Sequence, residues 1–218
     1  MAASVILSGC DSDGGGDGES GPTVYDVYSY PTYVLTPAME NSLAHMWHEE
    51  KLAGDIYLAL NALFPNAKMQ TIGSQGEATH ELLVRNLVEK YDLNVTNLVN
   101  YGDYYTQEEL DAMPDGVFAI GELQTLYDTL YDEGNDSAVD ALKVGCKVEV
   151  LDIMDLTEYI ATAGESQDLV DVFTYLREGS YKHYWAFDGE LKTLGVSEGC
   201  CAVGVVDGVD YCHPEYPK

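Results

Sequence analysis

Apolar residues recur at helical spacing along four long stretches, and caps, prolines and glycines between them mark the ends. In the first, Met46, Glu50, Ala53, Tyr57 and Leu60 follow i, i+4, i+7, i+11 and i+14, one continuous helix face. Thr36-Pro37 is a good N-cap with proline at the first helical position, and Pro65 stops the helix, so it should run to about Leu63. The second covers roughly Lys68 to Tyr91; Ile72, Gly76, His80, Leu83 and Leu87 mark its inward face, and Glu77 borders it. The third starts near Ser137 and ends by Gly164, with Leu142, Cys146, Glu149, Ile153 and Leu156 inward and Asp152 beside them. The fourth follows Ser166 and ends at Gly195, with Phe173, Leu176, Ser180, His183 and Phe187 inward.

Between the second and third lies a helical excursion. Thr106-Gln107-Glu108-Glu109 is a capping box, Pro114-Asp115-Gly116 a turn, and a helix from about Ile120 to Glu133 closes at Gly134. Residues 22–35 instead alternate as Val24-Tyr25-Asp26-Val27-Tyr28-Ser29-Tyr30-Pro31-Thr32-Tyr33-Val34, and Pro31 limits them to an edge strand or an extended arm. Such an arm packs on the helices or adds to the tail of the same or a neighbouring molecule. In the tail, residues 196–218, Asp207-Gly208 between Val205-Val206 and Val209 signals a two-residue hairpin. The expected fold is all-α: a four-helix bundle over residues 36–195 with an excursion, an N-terminal arm and a C-terminal β-hairpin tail.

Each long helix thus carries at least one Glu or His on its apolar stripe. Glu77 and His80, three apart, share one helix face and can grip one cation from the same side. A buried carboxylate without a partner is severely unfavourable. With 38 acidic and 10 basic residues and a formal charge of -28, the chain has few Lys or Arg to spare as partners. A divalent cation is the alternative counter-charge, and oxygen with imidazole ligands suits iron, manganese or zinc. Read singly, Glu50 beside Lys51 is a solvated charge, His183 a satisfied core histidine and Asp152 a border residue. The acidic balance also argues against nucleic-acid binding.

Hairpin pairing of Val206 with Val209 brings Cys212 within reach of Cys201, or of Cys200 with a bulge, so a Cys201–Cys212 or Cys200–Cys212 disulfide is expected. Cys146, on the third stripe, reads as a small packed hydrophobe. A metal site built from the tail cysteines and His213 fits no common zinc spacing. Leu7-Ser8-Gly9-Cys10 resembles a bacterial lipobox, with Cys10 as the lipidated residue and the Gly/Asp/Ser run through Gly21 as a flexible tether. Only nine residues, none of them Lys or Arg, precede Cys10, which is short for a signal peptide unless the true start lies upstream. The expectation is an exported protein of the cell envelope or extracellular space, tethered to a membrane through Cys10.

Several motifs occur in order: Glu50-Lys51-Leu52-Ala53-Gly54-Asp55-Ile56-Tyr57, Glu77-x-x-His80, Ala141-Leu142-x-Val144-Gly145, Glu149-x-x-Asp152-Ile153 and Gly179-Ser180-x-x-His183. Together they resemble the ferritin-like superfamily over about residues 40–192, closest to its domain-of-unknown-function branch 2202. Glu50, Ala53 and Tyr57 are similar to the first-helix signature of rubrerythrin-like members. The resemblance implies a carboxylate-bridged metal pair, with Glu77 and Glu149 bridging and Glu50, His80 and His183 as terminal ligands. Tyr57 would be a nearby hydrogen-bond donor. Where a di-iron bundle has Glu-x-x-His on the fourth helix, this chain has Ser180, which leaves either a mononuclear site on Glu50, Glu77 and His80 or a site completed by Asp152.

Two classes of function follow. One is an oxidoreductase acting on ferrous iron with oxygen or peroxide. Without a Cys-x-x-Cys pair or a glycine-rich phosphate loop, it needs a separate protein as electron donor. The other is a non-catalytic binding or assembly module, with the helices as scaffold and the arm and tail making contacts, including those of a homo-oligomer. Loose scavenging of metal ions by the acidic surface is a third possibility.

Overall fold

Thr36 accepts a hydrogen bond from the Met39 amide and Pro37 takes the first helical position, so α1 (Pro37–Leu63) begins at its cap signal. The computed structural model describes residues 24–98 and 105–218; Cys10 and the tether at residues 1–21 lie outside them. Asn66 caps α2 (Ala67–Thr71) by accepting from the Lys68 and Met69 amides. That helix runs into a π-helical stretch, Ile72–Glu77, and on into α3 (Ala78–Lys90). The second long helix is therefore interrupted by a wide turn. Short helices α4 (Val95–Leu98) and α5 (Gln107–Asp111) follow, the latter opened by the Thr106–Glu109 capping box. Next come α6 (Gly121–Gly134), α7 (Ala138–Thr162) capped by Ser137, and α8 (Gln167–Thr193). A 3-10 turn, Gly199–Val203, leads to β1 (Val205–Val206) and β2 (Val209–Asp210). Val206 pairs with Val209, and Asp207 and Gly208 both have positive φ, as a tight primed hairpin turn requires.

The protein is mostly helical with a short C-terminal hairpin. α1 packs on α3 and α7, α8 packs on α7 and α3, and α6 lies over α1 and α7. The apolar interior divides into two cores. One holds Met46, Trp47, Leu83, Leu87, Leu156, Phe173 and Leu176; the other holds Ala53, Tyr57, Leu142, Cys146, Tyr184 and Phe187. Along each helix the sequence passes from one core to the other through a charged or polar residue: Glu50 on α1, Asp152 on α7, Ser180 on α8 and His80 on α3. The buried polar groups thus form a seam between two greasy halves. An uncompensated carboxylate is least tolerable in such a place.

The arm corrects the edge-strand reading but packs on the helices, as the other reading expected. Among the described residues, 24–35 form no strand and do not join the tail hairpin of the same chain; Val27–Ser29 is a 3-10 turn with Val27 in the first apolar core. The Lys90 ammonium donates to the carbonyls of Val27 (2.9 Å), Tyr30 (3.3 Å) and Pro31 (3.1 Å), so these carbonyls meet a cation instead of a strand ladder. Lys90 also pairs with buried Asp168 at 2.7 Å, and the Tyr91 hydroxyl donates to the same carboxylate at 2.6 Å. Lys90, fixed by buried Asp168, thus pins the arm together with Val27 in the core and the Tyr30–Asp171 hydrogen bond.

The tail corrects another. Cys201–Cys212 forms as expected, but Cys146, read as a packed hydrophobe, is bonded to Cys200. Cys200 is therefore not the partner of Cys212. The chain folds back after α8 because Asp188 accepts from the Cys200 amide at 3.1 Å and the Tyr184 hydroxyl donates to the Tyr211 carbonyl at 3.1 Å. That return seats Cys200 against α7, a long-range contact that spacing along the chain does not reveal. No described helix is long and apolar enough to cross a membrane.

Candidate metal centre

Glu50, Glu77 and Glu149 are each only 2% exposed, and His80 only 3%, although every one is an ionisable group. α1, the π turn with α3, and α7 each contribute a carboxylate, and α3 and α8 the imidazoles. His80 Nδ1 lies 3.0 Å from Glu77 Oε2 and 3.2 Å from Glu50 Oε2. His183 Nδ1 lies 3.0 Å from Glu77 Oε1 and 3.5 Å from Glu149 Oε1. Glu77 therefore sits between the two histidines, one oxygen toward each. Ligating atoms of Glu77, His80 and His183 all fall within 4.8 Å of one another.

The π turn explains why Glu77 is central and not at the border of its stripe. Accommodating an extra residue in the turn rotates the helix, so Glu77 and His80 both enter the interior. Two glycines make room for the imidazoles. A Cβ on Gly179 would stand 2.4 Å from His80 Nε2, and one on Gly76 would stand 2.8 Å from His183 Nε2. Both histidines are thus seated on bare backbone with Nδ1 turned to the carboxylates. Reading the sequence missed this use of the two glycines, although a glycine inside a helix costs about 1 kcal/mol relative to alanine and so signals a steric need.

The electrostatics of the cluster are tightly linked. Burial pushes Glu50 up to about 8 and Glu149 up to about 7, each partly opposed by a histidine. Burial also disfavours the Glu77 charge, but the two histidines outweigh it and hold this carboxylate below its usual range. Burial would lower both imidazoles, yet the carboxylates prevail: His183 rises to about 10 and His80 well above its ordinary value. Several polar atoms still lack hydrogen bonds. Glu50 Oε1, Glu77 Oε1 and His183 Nδ1 are closed to solvent and unpartnered, the last two facing each other without hydrogen-bond geometry.

Tyr57 donates to Glu149 Oε1 at 2.7 Å, and burial with the neighbouring carboxylates pushes its own ionisation well above the ordinary value. Asp152 is buried and hydrogen-bonded to Ser180 Oγ, which also reaches the Leu176 carbonyl at 3.0 Å. Burial first, then Glu50, Glu49 and Glu149, raise Asp152 well above the carboxylate range. The residue that stands where a fourth-helix Glu was expected therefore serves to hold Asp152. All six candidate ligands lie at or beside one seam, with Glu50, His80, Glu77, His183 and Glu149 joined in one chain of contacts and Asp152 coupled to Glu50 and Glu149 electrostatically. His213 is not part of this group: it stacks on Tyr216 in the tail, and its amide donates to the Tyr184 hydroxyl.

Residues 40–200 match the family described as an uncharacterized protein domain, DUF2202. The chain is similar to the uncharacterized protein MJ0754 of Methanocaldococcus jannaschii, 33% identical over 171 residues that span 78% of this chain and 83% of that protein. It is also similar in structure to the crystal structure of hypothetical protein MJ0754 from Methanococcus jannaschii, with a TM-score of 0.65 and 33% identity over 76% of this chain and 86% of that one. On the extent of these matches, the chain belongs to the DUF2202 family.

Proposed function

We propose that this protein is a ferritin-like four-helix bundle whose seam binds one or two transition-metal ions, iron or manganese before zinc. The observation that carries this reading is the convergence of three buried carboxylates and two imidazoles in which Glu50 Oε1, Glu77 Oε1 and His183 Nδ1 have no hydrogen bond. Among the described residues no Lys or Arg forms an ion pair with Glu50, Glu77 or Glu149, and only the two imidazoles face them. The residues fit a cation. Glu77 reaches both imidazoles and would be the shared ligand, with Glu50 beside His80 and Glu149 beside His183 as the further ligands that would hold the ion or ions.

Bound iron would supply one-electron chemistry toward oxygen or peroxide. The chain's own part is to hold Glu149 through Tyr57, seat the imidazoles on Gly76 and Gly179, and exclude water with the two apolar cores. Metal analysis of the purified protein beside a Glu77→Ala/His80→Ala variant tests the reading. The expectation is tight, stoichiometric metal in the first and its loss in the second; equal and negligible metal in both sinks it. Two disulfides support the further proposal that the protein is exported, since such bonds persist in oxidising compartments.

The alternative reading, an envelope-anchored assembly module, draws on the arm: Tyr25, Tyr28 and Val34 are 63%, 61% and 94% exposed although the arm itself is pinned to the helices. Removing residues 22–35 then lowers the solution mass; an unchanged mass counts against it.

A further inference from the structure

We propose a second, half-exposed divalent-cation site formed by His45 and Glu49 of α1 and Asp155 of α7. Ligating atoms of the three lie within 4.8 Å of one another, drawn from two helices that pack together. His45 and Glu49 are four apart on one helix face, with His45 Nδ1 3.2 Å from Glu49 Oε2. That oxygen is closed to solvent and has no hydrogen bond, although its side chain as a whole is 18% exposed. The same signature marks the inner cluster: a buried carboxylate oxygen facing an imidazole nitrogen without hydrogen-bond geometry. Tyr159 orients the ring, its hydroxyl 2.9 Å from His45 Nδ1 and its own ring edge-on to the imidazole.

Charge at this place is one-sided. Among the described residues neither Glu49 nor Asp155 pairs with a Lys or Arg, while Glu158 lies exposed one turn further along α7 and Asp152 buried one turn back. Burial and then Glu49 push Asp155 up to about 7, as expected of a carboxylate short of a counter-charge. A depression of about 400 Å³ lined by Asn41, His45, Glu158 and Tyr159 opens on the His45 side of the cluster. One imidazole with two carboxylates suits manganese, ferrous iron or zinc better than calcium, which takes oxygen ligands alone. A plain protonated His45–Glu49 pair is the competing account, and it predicts no bound cation.

The site stands independently of whether the inner cluster is loaded. Full-length Glu77→Ala/His80→Ala protein is titrated with Mn2+ alone, reading the free ion by electron paramagnetic resonance in roughly 0.5 M NaCl to screen the diffuse acidic surface. One saturable equivalent is expected, weaker than the inner site and so not retained through purification, and adding His45→Ala/Asp155→Asn should weaken it at least about tenfold. The two proteins binding Mn2+ alike overturns the proposal. A second measurement covers a variant that fails to fold: in the Glu77→Ala/His80→Ala protein, substoichiometric Mn2+ should broaden the His45 imidazole resonances before those of His213. Equal broadening of both also overturns it.

Discussion

The Tyr57 hydroxyl, on α1, lies 2.7 Å from Glu149 Oε1 on α7 and is the neutral donor among the groups that surround this carboxylate. Removing it in Tyr57→Phe leaves a buried oxygen short of one partner at nearly constant shape, which costs about 1–3 kcal/mol. Urea denaturation of metal-free protein should show that loss. Metal affinity should fall about 10- to 100-fold, as for other groups that orient a ligand. A variant with the affinity of the parent removes Tyr57 from the site.

Gly179→Ala places a methyl group 2.4 Å from His80 Nε2 and must displace the ring, because helix backbone on one side and Glu50 and Glu77 on the other leave it nowhere to turn. We expect metal binding to drop at least about tenfold while the far-ultraviolet helical signal is kept. Gly189, with nothing near its Cβ position, is the control: Gly189→Ala should leave metal binding unchanged.

Metal binding should release protons. Without a cation, the carboxylates hold His183 up to about 10, and buried Glu50 and His80 share at least one proton as a coupled pair, so near neutral pH the cluster retains protons. A cation requires neutral imidazoles and ionised carboxylates, so affinity must rise with pH, by about tenfold per unit for each proton displaced. Calorimetry at pH 7 in two buffers of different ionisation enthalpy gives the proton count directly. A heat independent of buffer contradicts the picture.

Lys90→Met breaks a buried ion pair and leaves Asp168 charged and without its cation, at a cost of about 3–5 kcal/mol. It also frees three arm carbonyls, so protease sensitivity should rise near Tyr28–Pro31 ahead of global unfolding. Lys90→Met/Asp168→Leu should recover much of the stability, and a double variant as weak as the single one contradicts the assignment.

The Cys146–Cys200 bond closes a loop with a sequence separation of 54, for which chain entropy gives about 4 kcal/mol. Cys146→Ala/Cys200→Ala should lower thermal stability accordingly and leave Cys201–Cys212 in place, as mass spectrometry of the unreduced protein would show. Loss of both bonds in that variant would mean that the tail depends on the first to fold.

Helix ends were legible because they are written locally: Thr36-Pro37, Ser137 and the Thr106–Glu109 box cap the helices they were read to cap. The inward stripes of α1, α7 and α8 were legible because a 3.6-residue period survives in any straight helix. Glu77 was assigned to the edge of its stripe because that period assumes an unbroken α-helix, and the wide turn breaks it. The arm's alternation looked like a strand, yet no described strand lies beside it and Lys90 takes the carbonyls. Cys146 was missed for a different reason. Its partner arrives from a tail whose path is set by Asp188 and Tyr184, contacts that no local pattern encodes.

The wide turn at Ile72–Glu77 has one more consequence. A regular helix would be healed by deleting a single residue there, and the shortened rod would be the more comfortable one. Side chains on either side would keep their phase, because the wide turn holds the one surplus residue, and only Glu77, inside it, would change its place. The segment consequently absorbs a one-residue deletion. The same deletion in the straight part of α3 has no such outlet and turns everything beyond it by about 100°.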